Sequence, residues 1–202
     1  TSTPGLVSTS DLADLNELDF ASWKNPWADL NDEAPDRDES LDRVLTLRKL
    51  LETTADYDRR VEVAIETKHP TRFGGLVEKR LVEMLRDFGW DQAGSPVRVM
   101  SFSFTALQRV ERMAPDVRIV QLVDRPQYWP MLRRVIGDDW IVGPGIELLR
   151  EHPRLGTRIS RAGHDMHVWT VNTVSDLRLC QELGVKAVIT DRPAYVLETL
   201  GR

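Results

Sequence analysis

Chemically active side chains follow one another at the end of a short apolar run. The run, VEVAIETKHP at residues 61–70, places Glu66, Lys68 and His69 before Pro70. Because side chains alternate across a β-strand, Glu66 and Lys68 share one face, roughly 7 Å apart. A carboxylate buried there must be paired or bound to a metal ion. The pair therefore predicts either a structural ion pair or part of an oxygen-lined Mg²⁺ or Ca²⁺ site, which needs two more ligands.

The histidines do not supply an evident proton donor for such a site. His69 has the opposite parity to Lys68, so we expect its ring to pack outside the site. His152 and His164 fall at predicted helix ends, where imidazole commonly caps a helix or lies in solvent. His167 alternates with its neighbours in a predicted strand and is expected to face the helices. General acid catalysis would therefore need a group that these positions do not provide.

From residue 59 the chain alternates between short β-branched runs and amphipathic patterns. Near-continuous apolar strands that alternate with helices are typical of a parallel sheet covered by helices. The predicted strands are 60–67, 97–103, 117–123, 140–142, 166–171 and 186–190. The predicted helices are 74–88, 104–113, 128–135, 146–150, 154–162 and 174–183.

The strand ends favour a (β/α)8 barrel over a doubly wound open sheet. Chemistry in barrels gathers at the carboxyl ends of the strands, and no Gly-x-Gly-x-x-Gly turn follows any predicted strand. A barrel needs eight strands and about 250 residues, so six strand–helix units would leave the sheet without its beginning. Polar residues follow almost every strand: Glu66, Lys68, Ser101, Ser103, Gln121, Asp124, Asn172 and Asp191.

The first part of the chain is polar and less regular. A short helix is predicted at 8–18, with Ser8 or Ser10 as its cap, and an amphipathic helix at 40–54. The net charge of −5 lacks the basic patch that nucleic acid requires. Cys180 is the single cysteine, which excludes an intramolecular disulfide and a cysteine zinc site, and no apolar run reaches the roughly 20 residues of a transmembrane helix.

Several segments together resemble the glycerophosphodiester phosphodiesterase family, in its actinobacterial form. They are VAIETKHPTRFGGLVE, VMSFSFTAL and HVWTVNTVSDLRLCQELGVKAVITDRP, which occur in order with each element at a predicted strand end. The resemblance covers residues 40–202 closely. Residues 1–39 resemble part of the insertion that the family carries after its second strand. The resemblance implies a single domain: barrel strands three to eight in 40–202, joined to a connecting segment in 1–39.

This resemblance also implies a chemistry. The family hydrolyses glycerophosphodiesters, which are small molecules, to an alcohol and glycerol 3-phosphate with a divalent cation, Mg²⁺ or Ca²⁺. By resemblance Glu66 would be a metal ligand and Lys68 would bind the phosphoryl oxygens. Phe102 and Trp169 would line the substrate cleft, and Asn172 is a weaker candidate for the same cleft.

The sequence lacks three motifs of this family. Its His-Arg-Gly, Glu-x-Asp and His-Asp motifs, which supply the catalytic histidines and two metal carboxylates, do not occur in this sequence. The opening TSTPGLVS resembles the segment that follows the second histidine. We therefore expect the catalytic histidines upstream and expect the 202-residue chain by itself to be inactive.

Two other functions remain open at this stage. A phospholipase D-like or sphingomyelinase D-like enzyme would show an exposed apolar rim near the barrel mouth, which Phe20, Trp23 and Trp27 could supply. A non-catalytic binding or scaffold protein would keep Glu66 and Lys68 as a structural ion pair. Six parallel strands would also leave two open edges, which further strands or another chain must cover.

Overall fold

A computed structural model describes residues 4–20, 43–69 and 73–201. The chain divides into two compact units, 1–58 and 59–202. Trp23 and Trp27, two of the expected rim residues, lie outside the described residues.

The first unit contains short helices. A 3-10 helix spans Val7–Thr9 and is followed by two α-helices, α1 (Leu12–Asn16) and α2 (Leu47–Ala55). The prediction that Ser10 caps the first helix is wrong, because α1 begins after Asp11 and the Ser10 hydroxyl donates back to the Leu6 carbonyl at 3.2 Å. α2 is capped by Thr46, whose hydroxyl accepts from the Lys49 amide.

The second unit alternates strands and helices as predicted. Its strands are β1 (Val63–Glu66), β2 (Val97–Ser101), β3 (Arg118–Val123), β4 (Ile141–Pro144), β5 (His167–Val168) and β6 (Ala187–Val188). Its α-helices are α3 (Leu76–Asp87), α4 (Phe104–Met113), α5 (Trp129–Leu132), α6 (Ile146–Glu151), α7 (Pro153–Arg161), α8 (Val174–Glu182) and α9 (Pro193–Thr199). A 3-10 helix at Pro126–Tyr128 precedes α5. α9 is absent from the predicted elements, and β5 and β6 are shorter than predicted.

All strand pairs in this unit are parallel and follow chain order. One sheet has the order β1-β2-β3-β4, and β5 pairs with β6. Parallel bridges from Val142 to Met166 and from Gly145 to Trp169 connect β4 with β5. The parallel βα alternation confirms the predicted α/β class, and the strands follow the sequential order of a (β/α)8 barrel.

One face of the sheet carries an apolar cluster. Register pairs Glu66 with Met100, Met100 with Val120, and Val120 with Ile141, so these side chains share one face. Met100, Val120, Leu122 and Ile141 form the cluster, and Trp169 and Ile189 pack against it. We call this side the inner face. The opposite face of β2 and β3 is covered by α4.

His167 lies on the inner face, so the prediction that it faces the helices is wrong. It has the parity of Trp169, which packs against the apolar cluster. The imidazole also interacts electrostatically with four charged residues: Arg98, Arg118, Glu62 and Asp165. Burial, and then the positive charge of Arg98, lower the pKa of His167 to about 4. Arg98 is itself paired with the Glu62 carboxylate. The imidazole is therefore neutral at pH 7 and belongs to the framework.

Acidification is expected to weaken the fold through His167. An unfolded chain protonates this imidazole near pH 6.5, whereas the folded chain protonates it only near pH 4, so stability falls as the pH falls between these values. Between pH 7.5 and pH 5 this costs about 2 kcal/mol of unfolding free energy. Urea unfolding of wild type and His167→Gln at both pH values measures it. His152→Gln, at an exposed position, is the control, and an equal pH dependence in His167→Gln would contradict the assignment.

A half-buried ion pair joins the helices after β4 and β5. Arg150 of α6 donates from Nε to Asp176 Oδ1 at 2.7 Å and from a terminal nitrogen to Oδ2 at 2.6 Å. The Thr173 hydroxyl donates to the same carboxylate at 2.6 Å. Burial raises the pKa of Asp176, but the hydrogen bonds from Arg150 and Thr173 outweigh burial and hold the pKa below its usual range. This pair ties α6 to α8.

Among the residues that the structure describes, no helix combines the length and the apolar character that crossing a bilayer requires.

Candidate active site

Glu66 and Lys68 meet at the carboxyl end of β1. The Lys68 Nζ lies 2.8 Å from Glu66 Oε1, and the Lys68 side chain is 81% exposed while that of Glu66 is 25% exposed. Thr67 between them is buried, its amide donates to the Met100 carbonyl, and its own carbonyl accepts from the Ser101 hydroxyl. These backbone contacts hold the end of β1 against β2, with Glu66 and Lys68 on the side of the inner face and Thr67 on the opposite side.

His69 is held on the helix side. Its Nε2 lies 3.2 Å from Glu78 Oε1 on α3, and Arg109 of α4 lies 3.2 Å from the same oxygen. Glu78 is fully buried. This arrangement confirms the expectation that the His69 ring packs away from Glu66 and Lys68. It also anchors the segment that follows Lys68 to two helices.

Phe102 and Trp169, the aromatic residues predicted for the cleft, are in contact. Their rings are edge to face, with centroids 5.5 Å apart and planes at 88°. The Trp169 indole N–H donates to the Gly143 carbonyl at 2.8 Å, which fixes the ring beside β4. A Cβ at Gly145 would lie 3.4 Å from the Trp169 ring, in ordinary van der Waals contact, so the indole packs directly beside this residue. Phe102 is 44% exposed and forms the outer part of this aromatic pair.

Asn172 is hydrogen-bonded to the residues that follow β6. Its Nδ2 donates to Asp191 Oδ2 at 2.9 Å, and its Oδ1 accepts from the Thr190 hydroxyl and the Asp191 amide. The amide therefore joins the segment after β5 to the segment after β6. These bonds give Asn172 a structural task at the strand ends, and its role toward a substrate stays a prediction.

Glu66 can offer only part of a metal site. Within the described ranges, no group of three or more histidine, cysteine, aspartate or glutamate side chains is placed to hold a metal ion. Mg²⁺ and Ca²⁺ prefer several oxygen ligands, of which one carboxylate can be the first. The role of Glu66 as a metal ligand therefore stays a prediction.

Ser103, which follows a strand, and two of the histidines make local contacts. The Ser103 hydroxyl caps α4 by accepting from the Ala106 amide. His164 is buried, with Nδ1 2.9 Å from the Trp140 carbonyl, so the prediction of a solvent or capping role is wrong for it. His152 is exposed between α6 and α7, as expected. None of these contacts faces Glu66.

Gln121 is a polar residue whose role was not predicted from its position in the sequence. It lies in the apolar strand β3 and is 1% exposed. Its Nε2 lies within hydrogen-bonding distance of the carbonyl oxygens of Ser101, Phe102 and Leu122. A glutamine inside the apolar run RIVQLV was the available signal, since a buried amide needs several partners.

Comparison with known sequences decides the family. The profile of the glycerophosphoryl diester phosphodiesterase family matches residues 1–195. The chain belongs to this family. "Probable glycerophosphodiester phosphodiesterase 1" of Mycobacterium tuberculosis is 36% identical over 193 residues, covering 94% of this chain and 68% of that protein. A Bacillus subtilis glycerophosphodiester phosphodiesterase is 27% identical over 196 residues, covering 94% of this chain and 64% of that protein.

Solved structures support the fold of this phosphodiesterase family member. An Oleispira antarctica phosphodiesterase, solved in complex with the product sn-glycerol-3-phosphate, superposes with a TM-score of 0.74. It is 19% identical, and the match covers 98% of this chain and 73% of that one. The named relatives are phosphoric diester hydrolases, and members of the family generally depend on a divalent cation. The chain spans about two thirds of the length of its curated relatives.

Proposed function

We propose that the protein hydrolyses glycerophosphodiesters to an alcohol and glycerol 3-phosphate, with Mg²⁺ or Ca²⁺ as its cation. The observation that carries the proposal is the Glu66–Lys68 pair, 2.8 Å apart at the carboxyl end of β1. Active sites of barrel enzymes lie at this end of the strands. Phe102 and Trp169 follow β2 and β5 at the same end, so an acid, a base and an aromatic wall share one edge of the sheet.

Each of these residues has a defined task in the proposal. Glu66 contributes one carboxylate to the cation, and a bound divalent cation neutralises charge on phosphoryl oxygens. Lys68, with its exposed ammonium group, binds the phosphoryl oxygens where negative charge develops. Phe102 and Trp169 flank the substrate, and Asn172 holds the neighbouring loops. The other metal ligands and the proton-transferring histidines come from outside the described residues.

Activity assays separate the proposal from its alternatives. The protein from the complete reading frame is expected to release glycerol 3-phosphate from glycerophosphocholine in the presence of Mg²⁺ or Ca²⁺, and to lose this activity in EDTA. The isolated 202-residue chain is expected to be inactive in the same assay. A faster release of headgroup from lysolipids would support the lipid phosphodiesterase instead. No turnover of any diester by the complete protein would support the non-catalytic alternative.

A further inference from the structure

The backbone that carries Lys68 is held on both sides. Before it, the buried Thr67 is hydrogen-bonded to β2 through both its amide and its carbonyl. After it, His69 Nε2 lies 3.2 Å from Glu78 Oε1 on α3, and the His69 side chain is 13% exposed. The Lys68 side chain is itself 81% exposed and has many rotamers open to it. The place of its ammonium group therefore depends on the backbone from which it extends.

Glu78 connects this backbone to two helices. Its carboxylate is fully buried on α3, and Arg109 of α4 donates to the same oxygen, Oε1, at 3.2 Å. Gly75, at the start of α3, leaves room for this contact, because a Cβ there would lie only 3.1 Å from Arg109 Cδ. We call His69, Glu78 and Arg109 the buried triad. It joins the segment after β1 to α3 and α4.

The carboxylate of Glu78 is an unfavourable group to bury for stability alone. Within the residues that the structure describes, Glu78 Oε2 is buried without a hydrogen-bond partner, and the His69 contact to Oε1 is not a well-aligned hydrogen bond. An unsatisfied buried oxygen lowers stability, and a well-packed apolar side chain often replaces a buried ion pair without loss. What the carboxylate does supply is an attraction on the residue next to Lys68.

We propose that Glu78, acting through His69, is a positioning residue for Lys68. It holds the backbone from which the ammonium group reaches the phosphoryl oxygens of the substrate, and it touches no substrate atom itself. A displacement of about 1 Å at a reacting group can lower turnover by about 10²-fold, so an anchor of this kind affects the rate. The inference rests on the proposed function for the role of Lys68.

Glu78→Met in the complete protein separates positioning from stability. Methionine fills a similar volume, and Arg109 is 40% exposed, so its guanidinium group keeps its contact with water. The urea midpoint of unfolding is expected to stay close to that of wild type, while kcat/KM for glycerophosphocholine falls about tenfold or more. Arg150→Met is the matched control, because it should lower the urea midpoint and retain wild-type kcat/KM. Wild-type kcat/KM in Glu78→Met would overturn the inference.

Two variants of His69 test the link without removing the buried carboxylate. His69→Leu leaves Glu78 bonded to Arg109 and should lower kcat/KM about as much as Glu78→Met. His69→Gln keeps a nitrogen donor near the place of Nε2, and it should recover most of the wild-type kcat/KM. Equal kcat/KM in the two His69 variants would overturn the inference, whatever the stability of Glu78→Met.

A double-mutant cycle tests whether the buried triad acts through Lys68. Lys68→Met is expected to lower kcat/KM strongly, and adding Glu78→Met to it should lower the remaining kcat/KM by no more than about twofold. If the two effects multiply instead, Glu78 acts elsewhere, which would overturn the inference and leave the proposed function standing. No turnover of glycerophosphocholine by the wild-type complete protein would overturn the proposed function and the inference with it.

Discussion

Glu66→Gln in the complete protein is expected to abolish metal-dependent turnover while the fold persists. Glutamine keeps the size of the side chain but removes the negative charge that a divalent cation requires. Loss of one such electrostatic contact at a reacting phosphoryl group lowers kcat by about 10²–10³-fold. Release of glycerol 3-phosphate at saturating Mg²⁺ or Ca²⁺ measures the effect. Circular dichroism of the same preparation checks the fold.

The control for this variant is Glu198→Gln on α9, an exposed carboxylate. It should retain wild-type activity. A second readout is the cation concentration that gives half-maximal activity, which should rise in Glu66→Gln wherever residual turnover is measurable. Wild-type turnover with an unchanged cation requirement would assign the pair of Glu66 and Lys68 to the framework, as a structural ion pair.

Arg150→Met is expected to lower the free energy of unfolding by about 2–3 kcal/mol at pH 7. This loss is smaller than that of a fully buried ion pair, because the Arg150 side chain is 46% exposed. The variant leaves the Asp176 carboxylate, 2% exposed, without its guanidinium partner. In wild type the pKa of Asp176 is lower in the folded state than in the unfolded state. The ionised carboxylate therefore stabilises the fold at pH values above the unfolded pKa, and this stabilisation is lost as the pH falls through the folded pKa. In the variant, burial instead favours the protonated form.

The difference between wild type and Arg150→Met should therefore shrink as the pH falls from 7 to 4.5. Urea unfolding at the two pH values measures the difference. Arg154→Met, an exposed arginine on α7, serves as the control and should change stability by less than about 0.5 kcal/mol. An equally small change in Arg150→Met would show that the link between α6 and α8 contributes little to the fold.

Much of the second unit could be predicted from residue patterns. α4 was predicted with its observed bounds, because apolar residues recur with helical spacing, and the structure adds Ser103 as its cap. β1 to β4 lie at their expected places because their runs are apolar on both faces. β5 and β6 are far shorter than predicted. Their flanking residues have strand-like composition, but the regular parallel pairing between these two strands extends over only two residues in each.

The parity of His167 shows a limit of pattern reading. Alternation places it opposite Val168, but alternation alone does not say which of the two faces the sheet interior. The helix side was predicted from the alternation of His167 with Met166 and Val168. The inner face accepts it because charged residues of other strands, Arg98 and Arg118, lie there too. Their proximity depends on strand register, which joins residues far apart in the chain.

By itself, the sequence determined the alternation of strands and helices in the second unit and the placement of Glu66 and Lys68 on one face at a strand end. These properties are local, since they depend on alternation and spacing within single segments. Only the tertiary structure decided that Phe102 meets Trp169, that His69 turns to Glu78, and that the buried Gln121 amide lies against carbonyl oxygens at the ends of β2 and β3. Such contacts join different strands and helices, so they arise from register and packing, which no single segment encodes.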